Sequence, residues 1–272
     1  MSDITRADVC VVACAEAFRG DGEILASPMG TIPMIAARLA KLTFEPDLVM
    51  TDGVAALRAD VDAVGGSRPV VVEGTMPYRR IFDWVWWGRR HVMMGASQID
   101  AFGNQNISAV GDWNRPKVQL LGARGAPGNT ICHPTSYWVA KQTNRVFVPK
   151  VDFVSGVGYD RAAELGDSGR FIDIRRVVTD LAVFDFATPD RRMRLASLHP
   201  GITVDDVKAA TGFELTIADD VPTTGAAIAT AAGSEASPGG AAPVSLNLNW
   251  GADDDLRGDA VSPEYARSLS FL

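Results

Sequence analysis

A chain of 272 residues, 47% hydrophobic and 22% charged, has the composition of a folded protein large enough for one sizeable α/β domain or two small ones. Its formal net charge of −7 argues against a general nucleic-acid binder, which carries a basic patch, and leaves room for a local basic pocket. No apolar run reaches the ~18 residues of a membrane span, and the opening Met-Ser-Asp lacks a basic-then-apolar leader, so a cytoplasmic protein that does not engage membrane is expected.

Thr5-x-x-Asp8 has the form of a capping box with Asp in place of the usual Glu, and a helix is predicted from Arg6 to Phe18, ended by Gly20-Asp21-Gly22. Cys10 and Cys14, four apart, share a face of it. With Cys132 they make three cysteines, and the histidines are also three, His91, His133 and His199. Buried free thiols in a reducing compartment are therefore expected, and no metal site. Glu23–Ala26 reads as a buried strand. It leads through Ser27-Pro28-Met29-Gly30-Thr31, a strand-to-helix loop of the kind that holds ligands in open α/β sheets, into a helix near Ile32–Leu42. Asp47–Met50 is the next predicted strand, left through Thr51-Asp52-Gly53, and Pro69–Glu73 is another. A helix over Arg79–Gly88 then carries Trp84, Trp86 and Trp87. This cluster suits helix core, a subunit interface or a flat platform for a ligand ring. Arg79, Arg80, Arg89 and Arg90 flank it, as solvated helix ends or as phosphate holders.

Two glycine-rich segments follow. The first runs Gly95-Ala96-Ser97-Gln98-Ile99-Asp100-Ala101-Phe102-Gly103-Asn104-Gln105-Asn106. The second, after a predicted strand Lys117–Leu121, runs Gly122-Ala123-Arg124-Gly125-Ala126-Pro127-Gly128-Asn129. Glycine lets backbone approach a ligand closely, and adjacent amide side chains can both donate and accept, as a thioester carbonyl or pantetheine amide would need. A turn that bonds only its own backbone fits the same residues. Arg124 is an always-charged planar donor, fit for a carboxylate, a carbonyl oxygen or a structural ion pair.

Further strands are predicted at Val146–Val148, over Val177–Phe186 as one long element, and at Met193–Leu198. Ser155-Gly156-Val157-Gly158-Tyr159 has no helical pattern behind it and is not read as a dinucleotide fingerprint. Thr203-x-x-Asp206 caps a helix to about Thr211, and His199, before Pro200, is read as marking the approach to that helix. From Pro222 to Pro243 Ala, Gly, Ser, Thr and Pro dominate, which predicts a flexible linker. Residues 244–272 regain Leu, Trp250, Tyr265 and Phe271, as a segment that docks on this chain or a neighbour would.

The two glycine segments in this order, with Arg176–Phe184 and His199-Pro200-Gly201-Ile202-Thr203 behind them, resemble the β chain of class I coenzyme A transferases over residues 5 to 218. Within that family the resemblance is closer to the steroid ring-cleaving CoA hydrolases. It implies an α/β fold with an open, mainly parallel sheet flanked by helices, over residues 1–221. It also implies an acyl-CoA substrate, no separate cofactor because CoA belongs to the substrate, and an α subunit in an α2β2 heterotetramer. Transferases of the family carry a glutamate nucleophile two residues before the glycine at the Asp47–Met50 strand end. Here that position is Thr51, with Asp52 next to it. The resemblance thus implies hydrolytic opening of a cyclohexenone carboxyl-CoA, with the principal base, a glutamate, on the α chain and no catalytic residue assigned in this one. Asn104, Gln105, Gly122, Arg124 and Gly125 would lie nearest the acyl group, with Thr51 and Asp52 lining the pocket. A true CoA transferase acting through Asp52, and a silent chain that only shapes an active partner, are the alternatives.

Overall fold

The computed structural model describes residues 4–52, 55–64, 71–77 and 79–225. All fall in the first of two units of the chain, 1–235; the second, 236–272, lies outside the described residues. A seven-stranded sheet organises the described part: β1 (Leu25–Pro28), β2 (Arg90–Met94), β3 (Pro134–Val139), β4 (Asp173–Thr179), β5 (Ala182–Asp185), β6 (Arg194–Leu198) and β7 (Thr216–Ile217), in the spatial order 1-2-3-4-5-6-7. β1 to β4 run parallel, β5 is antiparallel to both neighbours, and β7 lies parallel to β6.

Side chains alternate across a strand, so consecutive residues feed opposite faces. Met93, Val178 and Val183 point into a core shared with α1 (Arg6–Glu16) and α2 (Thr31–Thr43), where Cys14, Phe18, Ala36, Ala37, Ala40 and Leu48 are buried. The many alanines let α1 and α2 approach closely. Val92, Met94, Tyr137, Val177 and Phe184 fill the other face with Ile99, Phe147 and Leu195. The Thr5 and Thr203 capping boxes both form: Thr5 N donates to Asp8 Oδ2 at 2.8 Å, and Thr203 N to Asp206 Oδ2 at 2.9 Å, each with the reciprocal bond from the third residue. Asp therefore reaches as far as the box requires, and the second box starts a short helix, Val204–Ala209. Cys10 and Cys14 are buried free thiols; burial pushes the Cys10 thiol up to about 12.

Three predicted strands differ. Val177–Phe186 is two strands joined by a tight turn, because Thr179 Oγ1 accepts from the N–H groups of both Leu181 and Ala182 at 3.0 Å and reverses the chain. Of Lys117–Leu121 only Val118–Gln119 pairs, with Ala109–Val110 in a hairpin off the main sheet, leaving Val118 and Leu121 exposed. Val146–Val148 contributes a single bridge, Ile99 to Phe147. Asp47–Met50 is a partial match: Val49 bridges Leu25 in parallel before Met50–Thr51 joins a small sheet with Ala56–Arg58 and Val72–Thr75. Pro69 and Val70, the start of the predicted Pro69–Glu73 strand, lie outside the described residues. Thr223 bridges Leu198 and Pro222 O accepts from Leu198 N at 3.0 Å, so the predicted linker begins beside β6; its remainder and the 244–272 segment lie outside the described residues.

Candidate active site

In an open α/β sheet ligands bind beyond the carboxyl ends of the strands. Here β1 ends in the Met29–Thr31 loop, β2 ends at Gly95, and the Val49–Asp52 segment beside β1 ends at the same edge. The first glycine segment folds back as a hairpin, Gln98–Ile99 against Gln105–Asn106, with Gly103 at φ +80° in the turn. Asp100 Oδ1 accepts from Phe102 N at 3.0 Å and Asn104 N at 3.1 Å. Burial raises the Asp100 pKa, opposed by the bonds from Asn104 and Phe102.

The three amides turn inward. Asn104 Nδ2 bonds Asp100 Oδ2 at 2.9 Å and Asp160 Oδ1 at 2.7 Å, and its Oδ1 accepts from Gly158 N at 2.8 Å. Asn106 is spent on Gln98 and on the turn at Ser108–Ala109. Gln105 Nε2 donates to Gly95 O, which anchors the glycine at the end of β2. Its Oε1 is buried and has no hydrogen-bond partner among the described residues. These amides build the loop rather than line an open surface.

The second segment lies against the first. Gly122 N donates to Ile107 O at 2.9 Å, and a Cβ on Gly122 would sit 2.1 Å from Ile107 Cγ1, so only glycine lets the two segments touch. A short 3-10 turn, Gly122–Arg124, then leads into α4 (Ala126–Cys132). Arg124 is exposed and makes no bond among the described residues. Gly125 is exposed at φ −101°, a conformation open to any residue, and a Cβ there would meet nothing within 4 Å. Nothing in the described residues requires glycine at 125.

Asp52 leaves the strand as a turn residue. Its Oδ1 accepts from Ala55 N at 2.9 Å and Ala56 N at 3.1 Å, which closes the hairpin to Ala56–Arg58. Thr51 is half-buried, and Gly53, from which the nucleophile position is counted, lies outside the described residues.

The tryptophan helix, α3 (Arg80–Trp86), does not form core through Phe82, Trp86 and Trp87, which are exposed, Trp86 by 80%. Of the flanking arginines, Arg80 pairs with Asp83 and Arg90 is buried in β2 on Ser27 and Asn129.

Sequence reasoning missed one constellation. His91 Nε2 lies 2.9 Å from Ser136 Oγ and His91 Nδ1 2.6 Å from Asp21 Oδ2, with Arg175 on the other carboxylate oxygen. The order of groups is that of a Ser-His-Asp triad. Ser136 and His91 are both 0% exposed, so no substrate reaches the hydroxyl, and the network is a buried strut that ties the loop before β1, through Asp21, to β2, β3 and β4. His199 is structural as read: its Nε2 lies 2.9 Å from Thr179 O.

The chain has the fold of the coenzyme A transferases and belongs to that family, whose model matches residues 84–210. It is 56% identical over 215 residues to the cholesterol ring-cleaving hydrolase IpdB subunit of Rhodococcus jostii RHA1, covering 79% of this chain and 84% of that one. The IpdB subunit of Mycobacterium tuberculosis H37Rv is 55% identical over 212 residues, 78% of this chain and 85% of the relative. The crystal structure of Rhodococcus jostii RHA1 IpdAB matches with a TM-score of 0.78 at 55% identity, over 82% of this chain and 89% of that one.

Proposed function

We propose that this chain is the β subunit of a CoA-thioester hydrolase that opens the last steroid ring, a cyclohexenone carboxyl-CoA, in cholesterol or steroid degradation. Its α partner supplies the glutamate base, in a cytoplasmic α2β2 assembly. Water adds to the ring, and the carbon–carbon bond breaks in a retro-Claisen sense as the electron pair passes to the thioester enolate, which is then protonated. Gly122, Arg124 and Gly125, with Thr51, form the wall contributed by this chain. Arg124 offers its guanidinium to a carboxylate or carbonyl oxygen, and Gly125 leaves bare backbone where the acyl group approaches. Gln105 acts one step back by holding Gly95 at the end of β2, and Asn104 by tying the Asp100–Asn104 turn to Asp160 and Gly158. No cofactor beyond the CoA of the substrate enters.

One observation carries the hydrolase reading over a transferase. Asp52, the carboxylate next to the nucleophile position, accepts from two backbone N–H groups of its own hairpin through Oδ1, and these bonds hold it in the turn. The test is to quench turnover of the αβ complex with borohydride or hydroxylamine and weigh the intact chain. No mass change is expected, and Asp52→Asn costs far less activity than loss of the α-chain glutamate. A substrate-dependent adduct abolished by Asp52→Ala would restore the transferase. Full activity after Arg124→Ala and Gly125→Val would favour a silent chain.

A further inference from the structure

We infer that the chain carries a second binding site, for a small phosphorylated anion, in a cleft at the amino end of β4. The cleft is about 240 Å³ and is lined by Arg19, Arg175, Arg176, Arg191 and Tyr159 together with three carboxylates, Glu16, Asp173 and Asp185. The Gly103 turn packs behind two lining residues, Ile174 and Phe186, but Thr51, Gly122, Arg124 and Gly125 do not line the cleft, so it is distinct from the thioester wall proposed above.

The charges do not cancel. Each lining carboxylate is paired: Glu16 with Arg19 at 2.7 Å, Asp173 with Arg175, which it shares with Asp21, at 2.9 Å, and Asp185 with Arg194, which is not a lining residue, at 2.7 Å. Two guanidinium groups remain with no carboxylate among the described residues. Arg176 donates only to the Arg175 carbonyl, at 2.8 Å, and Arg191 lies over the Tyr159 ring, 5.4 Å from its centre. The ring itself is pinned, since Tyr159 Oη bonds both the N–H and the C=O of Ile174.

Backbone irregularities set both arginines in place. Opposite Thr135 and Ser136, β4 carries one extra residue: Ile174 and Arg176 have partners on β3 and Arg175 has none, the signature of a bulge. Arg175 thereby reaches Asp21, and Arg176 follows at the mouth of the cleft. Arg191 has φ +57°, the one non-glycine residue with positive φ among the described residues, a left-handed conformation that L-residues rarely adopt. A glycine would hold the turn more readily, whereas arginine places a cation at the cleft.

Two guanidinium forks match the oxygens of a phosphate or diphosphate, which they can grip in bidentate fashion. The volume lies below the ~300–1,000 Å³ usual for drug-sized ligands, so a whole coenzyme A is too large and a phosphate group with little attached fits.

The experiment is calorimetric titration of the chain in complex with its α partner with inorganic pyrophosphate at low ionic strength. Saturable binding is expected, unaffected by saturating CoA, and weakened at least tenfold by Arg176→Gln and by Arg191→Gly. Arg191→Gly relieves the strained φ, so its thermal midpoint stays level or rises and lost binding cannot be blamed on unfolding. Arg145→Gln, which removes one positive charge outside the cleft, leaves the affinity unchanged. No saturable binding, competition by CoA, equal weakening by Arg145→Gln, or binding of succinate in preference to pyrophosphate would each overturn the inference.

Discussion

Gly122 and Gly125 stand three residues apart in one turn, and alanine at each should have opposite consequences. At Gly122 the new Cβ would lie 2.1 Å from Ile107 Cγ1, 2.2 Å from its Cδ1 and 2.7 Å from its Cβ. The last of these is fixed to the backbone, so a rotamer change cannot clear the clash and the two glycine segments must separate. Overpacking of this kind costs about 1–3 kcal/mol, and at about 2–4 °C per kcal/mol the thermal midpoint should fall by several degrees. At Gly125 the backbone is in a right-handed conformation and the Cβ meets nothing, so alanine should gain about 0.4–1 kcal/mol by restricting the unfolded chain. Its effect should instead appear in turnover by the αβ complex, as a raised KM for the CoA thioester or a lowered kcat. Thermal melts and steady-state kinetics on the two variants separate these outcomes, and Ile107→Ala should partly restore the midpoint of Gly122→Ala. If Gly125→Ala leaves kcat and KM untouched while its stability rises, no ligand or partner approaches there, and the site assignment falls. If Gly122→Ala melts like the parent, the contact with Ile107 does not hold the segments together.

Acidification should destabilise the fold through His133. Burial, foremost, lowers its pKa from 6.5 to about 4, so between these values the unfolded chain binds the extra proton. Stability is therefore flat above pH 6.5 and falls as pH drops toward 4, by roughly 3 kcal/mol at 1.36 kcal/mol per unit. Urea midpoints measured across that range for the parent and for His133→Asn should converge at low pH, and parallel curves would refute the assignment. Ser136→Ala removes the hydroxyl beside His91; it should cost about 1 kcal/mol in stability and leave turnover per folded molecule unchanged, whereas a loss of several orders of magnitude would make the buried triad catalytic.

Much of the fold was legible in local sequence. Thr5-x-x-Asp8 and Thr203-x-x-Asp206 set two helix starts because a cap is made by residues three apart, and Cys10 and Cys14, four apart, were placed by spacing on one face of α1, which is buried. The motif order in Gly95–Asn106 and Gly122–Asn129 pointed to the family through residues adjacent in the chain. What local reading could not supply were properties set by distant partners. β3 was not predicted because Thr135 and Ser136 break its apolar pattern, and they are tolerated in the sheet because Asn129 O accepts from Thr135 and His91 Nε2 is hydrogen-bonded to Ser136. Asn104 looked like a ligand group until Asp100, Asp160 and Gly158, up to 56 residues away, were found to occupy its whole amide. Asp52 reads in the chain as the carboxylate beside the nucleophile position, and only the fold shows its Oδ1 accepting two backbone N–H groups of the hairpin to Ala56. Composition and spacing determine which elements form and what chemistry they carry. Which polar groups remain free for a ligand is decided only when the chain closes, because a hydrogen bond made inside the fold is no longer available outside it.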